Sequence, residues 1–180
     1  MCYDGQGVIR EMTWAELSGL RMNRGNRLDC LRDEQKRMPL FSEYLAVCRR
    51  FSSAPFIELK TDDVQAVLSE VRRSGLENAG VVMSSSALDR LIETRRHSKE
   101  MFVHWIFGSE ERLCELARLG NAGMSWCIND PLASPVEKIA LSHQAGVKVC
   151  LRAADTVQAV RHMLSLGLDY LPTNCMHGAV

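Results

Sequence analysis

Neither sign of charge is in excess in this sequence: Lys plus Arg and Asp plus Glu both number 22 among 180 residues. That balance gives no net attraction to nucleic acid or to an anionic membrane, and both drop out as expected partners. No apolar run approaches the 18 or so residues of a membrane span, and the N-terminus does not have the form of a signal peptide. Paired-cysteine motifs are missing too. The seven cysteines, at 2, 30, 48, 114, 127, 150 and 175, form no C-x-x-C and no Cys/His cluster. An odd, scattered set supports neither a disulfide framework nor a zinc site, and it reads as mostly buried free thiols in a reducing, cytoplasmic setting.

What is present is ordinary in amount, with 46% hydrophobic and 24% charged residues, and periodic in arrangement. Short β-branched or aromatic runs begin near Phe56, Val81, Met101, Gly123, Val147 and Leu168, at spacings of 25, 20, 22, 24 and 21 residues. This is the beat of a βα unit. Between the runs, Val64, Val67, Leu68 and Val71, and later Leu113, Leu116 and Ala117, follow helical spacing, so each segment buries one stripe against a sheet. Ser134, Pro135 and Glu137 open one helix as cap, first turn and capping box, and Gly146 and Gly167 can take the left-handed stop. Strand and helix alternating at this period predict a parallel sheet with helices outside, doubly wound or closed as a barrel.

The first 50 residues differ. A Gly-rich turn, "DGQGVIREMTWAELSGL", leads into Thr13-x-x-Glu16, a capping box. From Arg21 to Lys36 the chain is charged and broken by Asn23, Gly25 and Asn26, which predicts an exposed, flexible loop. Pro39 then opens the helix "PLFSEYLAVCRR". Next comes "SSAPFIELKT", an apolar run ending in Glu58 and Lys60. Two positions apart on an extended chain, these charges share one face. A strand-end ion pair on a solvated edge would account for them and be worth little.

The blocks "YDGQGVIREMTWAEL", "MPLFSEYLAVC", "FIELK", "GVKVCLR" and "LGLDYLPTN", in that order, resemble the glycerophosphodiester phosphodiesterase family from its middle to its C-terminus. The resemblance implies an α/β fold, a (β/α)8 TIM barrel of the PLC-like phosphodiesterase type, incomplete by its first three βα units. Residues 1–38 would correspond to the family's insertion or loop region and 39–180 to barrel units. It implies a hydrolase that cleaves glycerophosphodiesters to glycerol 3-phosphate and an alcohol with a divalent cation, Ca²⁺ or Mg²⁺. Glu58 takes the place of the strand-end metal ligand and Lys60 that of the phosphate-facing lysine. A hard cation needs carboxylate oxygen, and an ammonium beside the phosphodiester stabilises charge that builds up in the transition state. Ser84, closing "VVMSSS", and Arg152, closing "KVCLR", are further candidates for phosphate or hydroxyl contacts, although the serine run serves equally as a helix N-cap.

The family's His-Arg, Glu-x-Asp and His-Asp strand ends have no counterpart in the 180 residues, so the acid/base histidines are unassigned. A complete barrel has about 250 residues, which leaves this chain short by about three of its own units. Six strand candidates plus three would make nine, one too many for an eight-stranded barrel. One of the six is therefore peripheral or not a strand. Thr173 and Asn174 stand where the family has Thr-Asp, and Leu151 and Arg152 where it has Trp-Thr or a similar pair. His104 is the one histidine placed on a strand and reads as a satisfied core or interface residue in preference to a site residue. His97, His143, His162 and His177 read as surface, and Asp130 as part of the turn made with Pro131. Two readings follow: a phosphodiesterase represented by part of its barrel, with a small glycerophosphodiester as substrate, or a non-catalytic barrel remnant that binds a phosphorylated ligand or acts as an interaction module. In both, self-association through unpaired sheet edges is expected.

Overall fold

The computed structural model describes residues 3–25, 27–126, 135–151 and 153–174. The chain divides into two compact units, Met1–Val47 and Cys48–Val180. In the first, Thr13 caps helix α1 (Trp14–Gly19) with the full reciprocal box: the Thr13 Oγ1 accepts from the Glu16 N–H, and the Thr13 N–H donates to the Glu16 carboxylate at 2.7 Å. The charged stretch after it is exposed, as expected, yet it is tied by backbone bonds. Tyr3 bridges Met22, Arg21 bridges Arg37, and the Met22 N–H donates to the Lys36 carbonyl at 2.8 Å. Polar main-chain groups pair with each other there because few apolar side chains are available to organise the segment. Helix α2 (Phe41–Arg50) follows; at its first turn the Arg37 guanidinium and the Leu40 N–H hold the Glu43 carboxyl down to about 2.

The second unit is five βα repeats. Strands β1 (Phe56–Glu58), β2 (Val82–Ser85), β3 (Phe102–Gly108), β4 (Ala122–Trp126) and β5 (Lys148–Cys150) alternate with helices α3 (Val64–Arg73), α4 (Leu88–His97), α5 (Leu113–Leu119), α6 (Pro135–Gln144) and α7 (Val157–Ser165). All four strand pairings are parallel, in the order β1-β2-β3-β4-β5. Each strand begins within one residue of its predicted position. The helix stripes are as read: Val64, Leu68 and Val71 of α3 and Leu113 and Leu116 of α5 are buried. Pro135 does begin α6, while its proposed cap, Ser134, lies outside the described residues.

Alternation divides the sheet into two faces. Ile57, Leu59, Met83, Val103, Trp105 and Met124 point to the helices and are almost completely buried. They and the helix stripes form the core, and its polar atoms are paired: the Trp126 indole donates to Ser142 Oγ at 2.9 Å and the Trp105 indole to the Ser86 carbonyl at 3.1 Å. The other face carries Phe56, Glu58, Ser84, His104, Gly123 and Lys148, whose register places the last five in one row across all five strands.

The sixth run, near Leu168, is not a strand. Its backbone approaches β5 at one point, where the Asp169 N–H donates to the Val149 carbonyl at 3.1 Å. The Asp169 carboxylate then accepts the Val149 N–H at 2.8 Å. A side chain thus takes the place of a neighbouring strand's carbonyl, and this edge of the sheet, expected to be open, is covered there.

Candidate functional site

Glu58 ends β1 and Lys60 follows it by two residues, and their side chains are in contact as an ion pair. The Glu58 side chain is 43% and the Lys60 side chain 77% exposed, so solvent screens the pair and each remains available to a ligand. The turn after them is held from α4. Arg90 Nε donates to Asp62 Oδ1 at 2.7 Å and its Nη1 to the Leu59 carbonyl at 3.0 Å. Sequence reading missed Arg90, because nothing in a helical arginine marks it as the clamp on a loop 28 residues earlier.

Ser84 is paired with Glu58 in register, yet it is fully buried, and its hydroxyl donates to the Ile57 carbonyl at 3.1 Å. Its donor is thereby used within the sheet. Ser85 Oγ accepts the Ala87 N–H at 3.1 Å in the turn before α4, but the helix N-cap is Ala87, without a side-chain cap bond, so the serine run does not supply the cap expected of it. Arg152 and Asp130 lie outside the described residues.

Deeper on the same face is a constellation that the sequence did not announce. His104 is buried, 4% exposed, and its Nδ1 hydrogen-bonds to the Tyr170 hydroxyl, which also hydrogen-bonds to Cys150. Burial pushes the His104 imidazole down to about 4 and the Cys150 thiol up to about 11. The Tyr170 phenol is raised as well, chiefly by burial and then by Cys150. All three are therefore neutral at pH 7. Aromatic contacts close the group: Phe56 lies 5.6 Å from the His104 ring and Phe102 meets Tyr170 edge-on at 5.8 Å. Side chains from β1 and β3 touch across β2, so the face is concave, as in a barrel interior.

Gly123 makes room for this knot. A Cβ there would come within 2.4 Å of Tyr170 Oη, 2.5 Å of Phe102 Cζ and 3.0 Å of the Lys148 carbonyl. Since the last of these is backbone, Gly123→Ala is expected to cost about 2 kcal/mol by overpacking, measured by urea denaturation; an unchanged midpoint would show that the knot is loose. A glycine inside a strand run signals close approach of another group. That signal was present in "NAGMSW".

No group of three or more His, Cys, Asp or Glu side chains converges to hold a metal ion among the described residues. Glu58 supplies one carboxylate, against the six or more oxygens of Ca²⁺, so these residues do not by themselves fit the divalent cation the sequence led us to expect.

No family model and no curated protein matches the sequence. Solved structures do. A phosphodiesterase from Oleispira antarctica, in complex with the product sn-glycerol-3-phosphate, superposes with a TM-score of 0.82 at 17% identity, over 99% of this chain and 73% of that one. Glycerophosphodiester phosphodiesterases from Agrobacterium tumefaciens (TM-score 0.70, 17% identity, 96% and 72% covered) and Parabacteroides distasonis (0.70, 18%, 90% and 66%) match as well. The fold is that of the glycerophosphodiester phosphodiesterases. The chain spans between 66% and 73% of the length of these three structures. At such identities the likeness establishes the fold, a TIM-barrel sheet represented by five of its strands, and the chemistry has to be argued from this chain's own residues.

Proposed function

We infer that the end of β1 is a phosphate-binding mouth of the glycerophosphodiester phosphodiesterase type, with Lys60 as the phosphate contact and Glu58 as a carboxylate of the metal site. The observation that carries this is position: an exposed acid and base sit together at the C-terminal end of a barrel strand, where barrel enzymes assemble their sites, in a fold shared with a relative that holds sn-glycerol-3-phosphate. Lys60 can leave Glu58 for a phosphate at little cost, since an exposed pair is worth under about 1 kcal/mol.

Hydrolysis asks for more than a phosphate contact. An acid and a base positioned on the reacting oxygens contribute roughly 10²- to 10⁴-fold. The described histidines are placed elsewhere: His97 is bonded to Glu93 on α4, His143 to Asp169, His162 lies on α7, and His104 is buried and held by Tyr170. With one metal carboxylate besides, the 180 residues on their own are expected to bind the glycerol 3-phosphate head group without turning over its diesters.

Two measurements on the purified chain test this. Titration with sn-glycerol-3-phosphate, followed by NMR, should show saturable shifts at the end of β1 that Lys60→Met weakens about tenfold. Glycerophosphocholine incubated with the chain and either Ca²⁺ or Mg²⁺ should release glycerol 3-phosphate at the background rate. Shifts indifferent to Lys60→Met would sink the binding site, and metal-dependent release would overturn the assignment of binding without turnover.

A further inference from the structure

A cavity of about 960 Å³ in the second unit lies along the concave face of the sheet, and neither Glu58 nor Lys60 lines it. Phe56, Val82, Phe102, Ile106 and Phe107 make its walls mainly apolar. A volume of this size matches a small-molecule site, where a few polar groups set orientation within an apolar surround.

Two features say what would fit. Phe107 sits where β3 is interrupted by a register shift between Trp105 and Gly108, in the left-handed region at φ 55°. That conformation is strained for a bulky residue. It is held by the Phe107 N–H donating to Ser125 Oγ at 3.1 Å, and it leaves the ring 65% exposed in the cavity wall. Strand irregularities of this kind re-aim side chains beside binding sites.

The second feature is Lys148. Its ammonium lies 5.8 Å from the centre of the Phe102 ring, and it makes no ion pair among the described residues. Asp169 accepts from Val149, is bonded to His143 and lies in the field of Lys148 without a contact ion pair to it, and Glu100 lies in the field of Arg95. Of the other polar groups in the wall, His104, Tyr170 and Cys150 bond to one another, Asn121 donates to the Glu100 carbonyl and Ser125 accepts from Phe107. Lys148 is thus a cation in a mainly apolar wall, with no contact ion pair among the described residues.

We propose that this cavity binds a small amphipathic anion, its apolar body against Phe56, Phe102 and Phe107 and its single negative group on Lys148. This site is separate from the phosphate mouth and does not depend on it.

Calorimetric titration with octyl sulfate below its micellar concentration tests the proposal, with octan-1-ol and inorganic sulfate as the two halves of the probe. Octyl sulfate should bind saturably, one to one, at least tenfold more tightly than octan-1-ol, and inorganic sulfate should not bind. Lys148→Met should bring octyl sulfate down to the affinity of octan-1-ol. Val82→Trp, which fills the cavity, should abolish binding of both, and Ile106→Phe serves as a milder filling variant, with circular dichroism confirming the fold of each. Lys60→Met should change nothing, which separates this site from the mouth. Non-saturating uptake, an unchanged affinity in Lys148→Met, or full binding by a folded cavity-filled variant would overturn the proposal.

Discussion

Acidification from pH 6.5 to pH 4 is expected to cost this protein on the order of 3 kcal/mol through one side chain, His104. In the folded chain its imidazole is pushed down to about 4, from an ordinary value of 6.5, by burial on the inner face of the sheet. Each tenfold change in proton affinity corresponds to about 1.4 kcal/mol. The sign follows from where the proton binds. Below pH 6.5 the unfolded chain takes up a proton that the folded chain refuses until about pH 4, so unfolding is favoured progressively across that window and levels off below it. Above pH 6.5 both states are neutral and the contribution is complete.

Other groups act in acid as well. Glu93 is held low by Arg96 and His97, and Glu115 by Arg112, but such carboxylates lose their contribution only as the pH falls below the usual carboxylate range. Comparison with His104→Asn isolates the histidine, because Asn can present a polar atom near the Nδ1 position to Tyr170 and does not titrate. Stability measured by urea denaturation at a series of pH values should fall more steeply in the wild type than in the variant between pH 6.5 and 4. Parallel curves would mean that His104 is open to water in solution.

Much of the second unit could be read from the sequence because its signals are local. A β-branched or aromatic run, a helical stripe and a glycine stop each declare themselves within a dozen residues, and Gly146 and Gly167 do take positive φ, at 72° and 83°. The pattern near Leu168 misled for a local reason too. Its alternation is that of a strand, but the Asp169 carboxylate captures the Val149 N–H that a sixth strand would have bonded.

The Glu58 and Lys60 pair was legible because an acid at the end of β1 and a base two residues on stand where a core strand has no use for them. The knot of His104, Tyr170 and Cys150 was not, since His104 and Tyr170 are 66 residues apart and become neighbours only through the curvature of the sheet. His104 was read as a satisfied core residue, and it is one; what the sequence could not supply was the partner. The lip at Phe107 is similar, because a left-handed phenylalanine has no signature of its own.

Replacing Arg95 by methionine is expected to have the largest effect of any single change outside the apolar core, about 3 kcal/mol. Arg95 lies near the end of α4, and its guanidinium reaches the N-terminal ends of two strands at once. Nη1 donates to the carbonyls of Ser98 and Lys99 at 3.0 and 2.5 Å, and Nη2 to those of Met101, Gly120 and Asn121 at 2.9, 2.8 and 3.3 Å. These carbonyls belong to the turns that lead into β3 and β4, where Gly120 and Asn121 have positive φ of 64° and 42°; that of Asn121 also accepts the Val103 N–H at 3.1 Å. Hydrogen bonds to a charged group contribute about 1.5 to 3 kcal/mol each net of exchange with water when buried. Arg95 is half-buried, so water can replace part of the set, which keeps the expected total near the value of one or two such bonds. Its Nε is buried without a partner, and the guanidinium is held below its ordinary pKa, chiefly by burial. The group already bears a desolvation cost for the sake of its carbonyls. Methionine keeps the aliphatic stem and removes the donors, so the loss is of hydrogen bonds and not of volume. Lysine, with one ammonium, can serve two or three of the five acceptors and should recover roughly half of the loss. Equilibrium urea unfolding of the three proteins gives the ranking, wild type above Arg95→Lys above Arg95→Met. A methionine variant as stable as the wild type would mean that water satisfies those carbonyls as well as the guanidinium does. The cavity would report the same event, because Glu100 and Asn121 line it and follow the turns that Arg95 fixes. Octyl sulfate binding by Arg95→Met should therefore weaken along with stability, whereas Lys60 and Glu58, at the opposite end of the strands, should keep their response to glycerol 3-phosphate for as long as the protein stays folded.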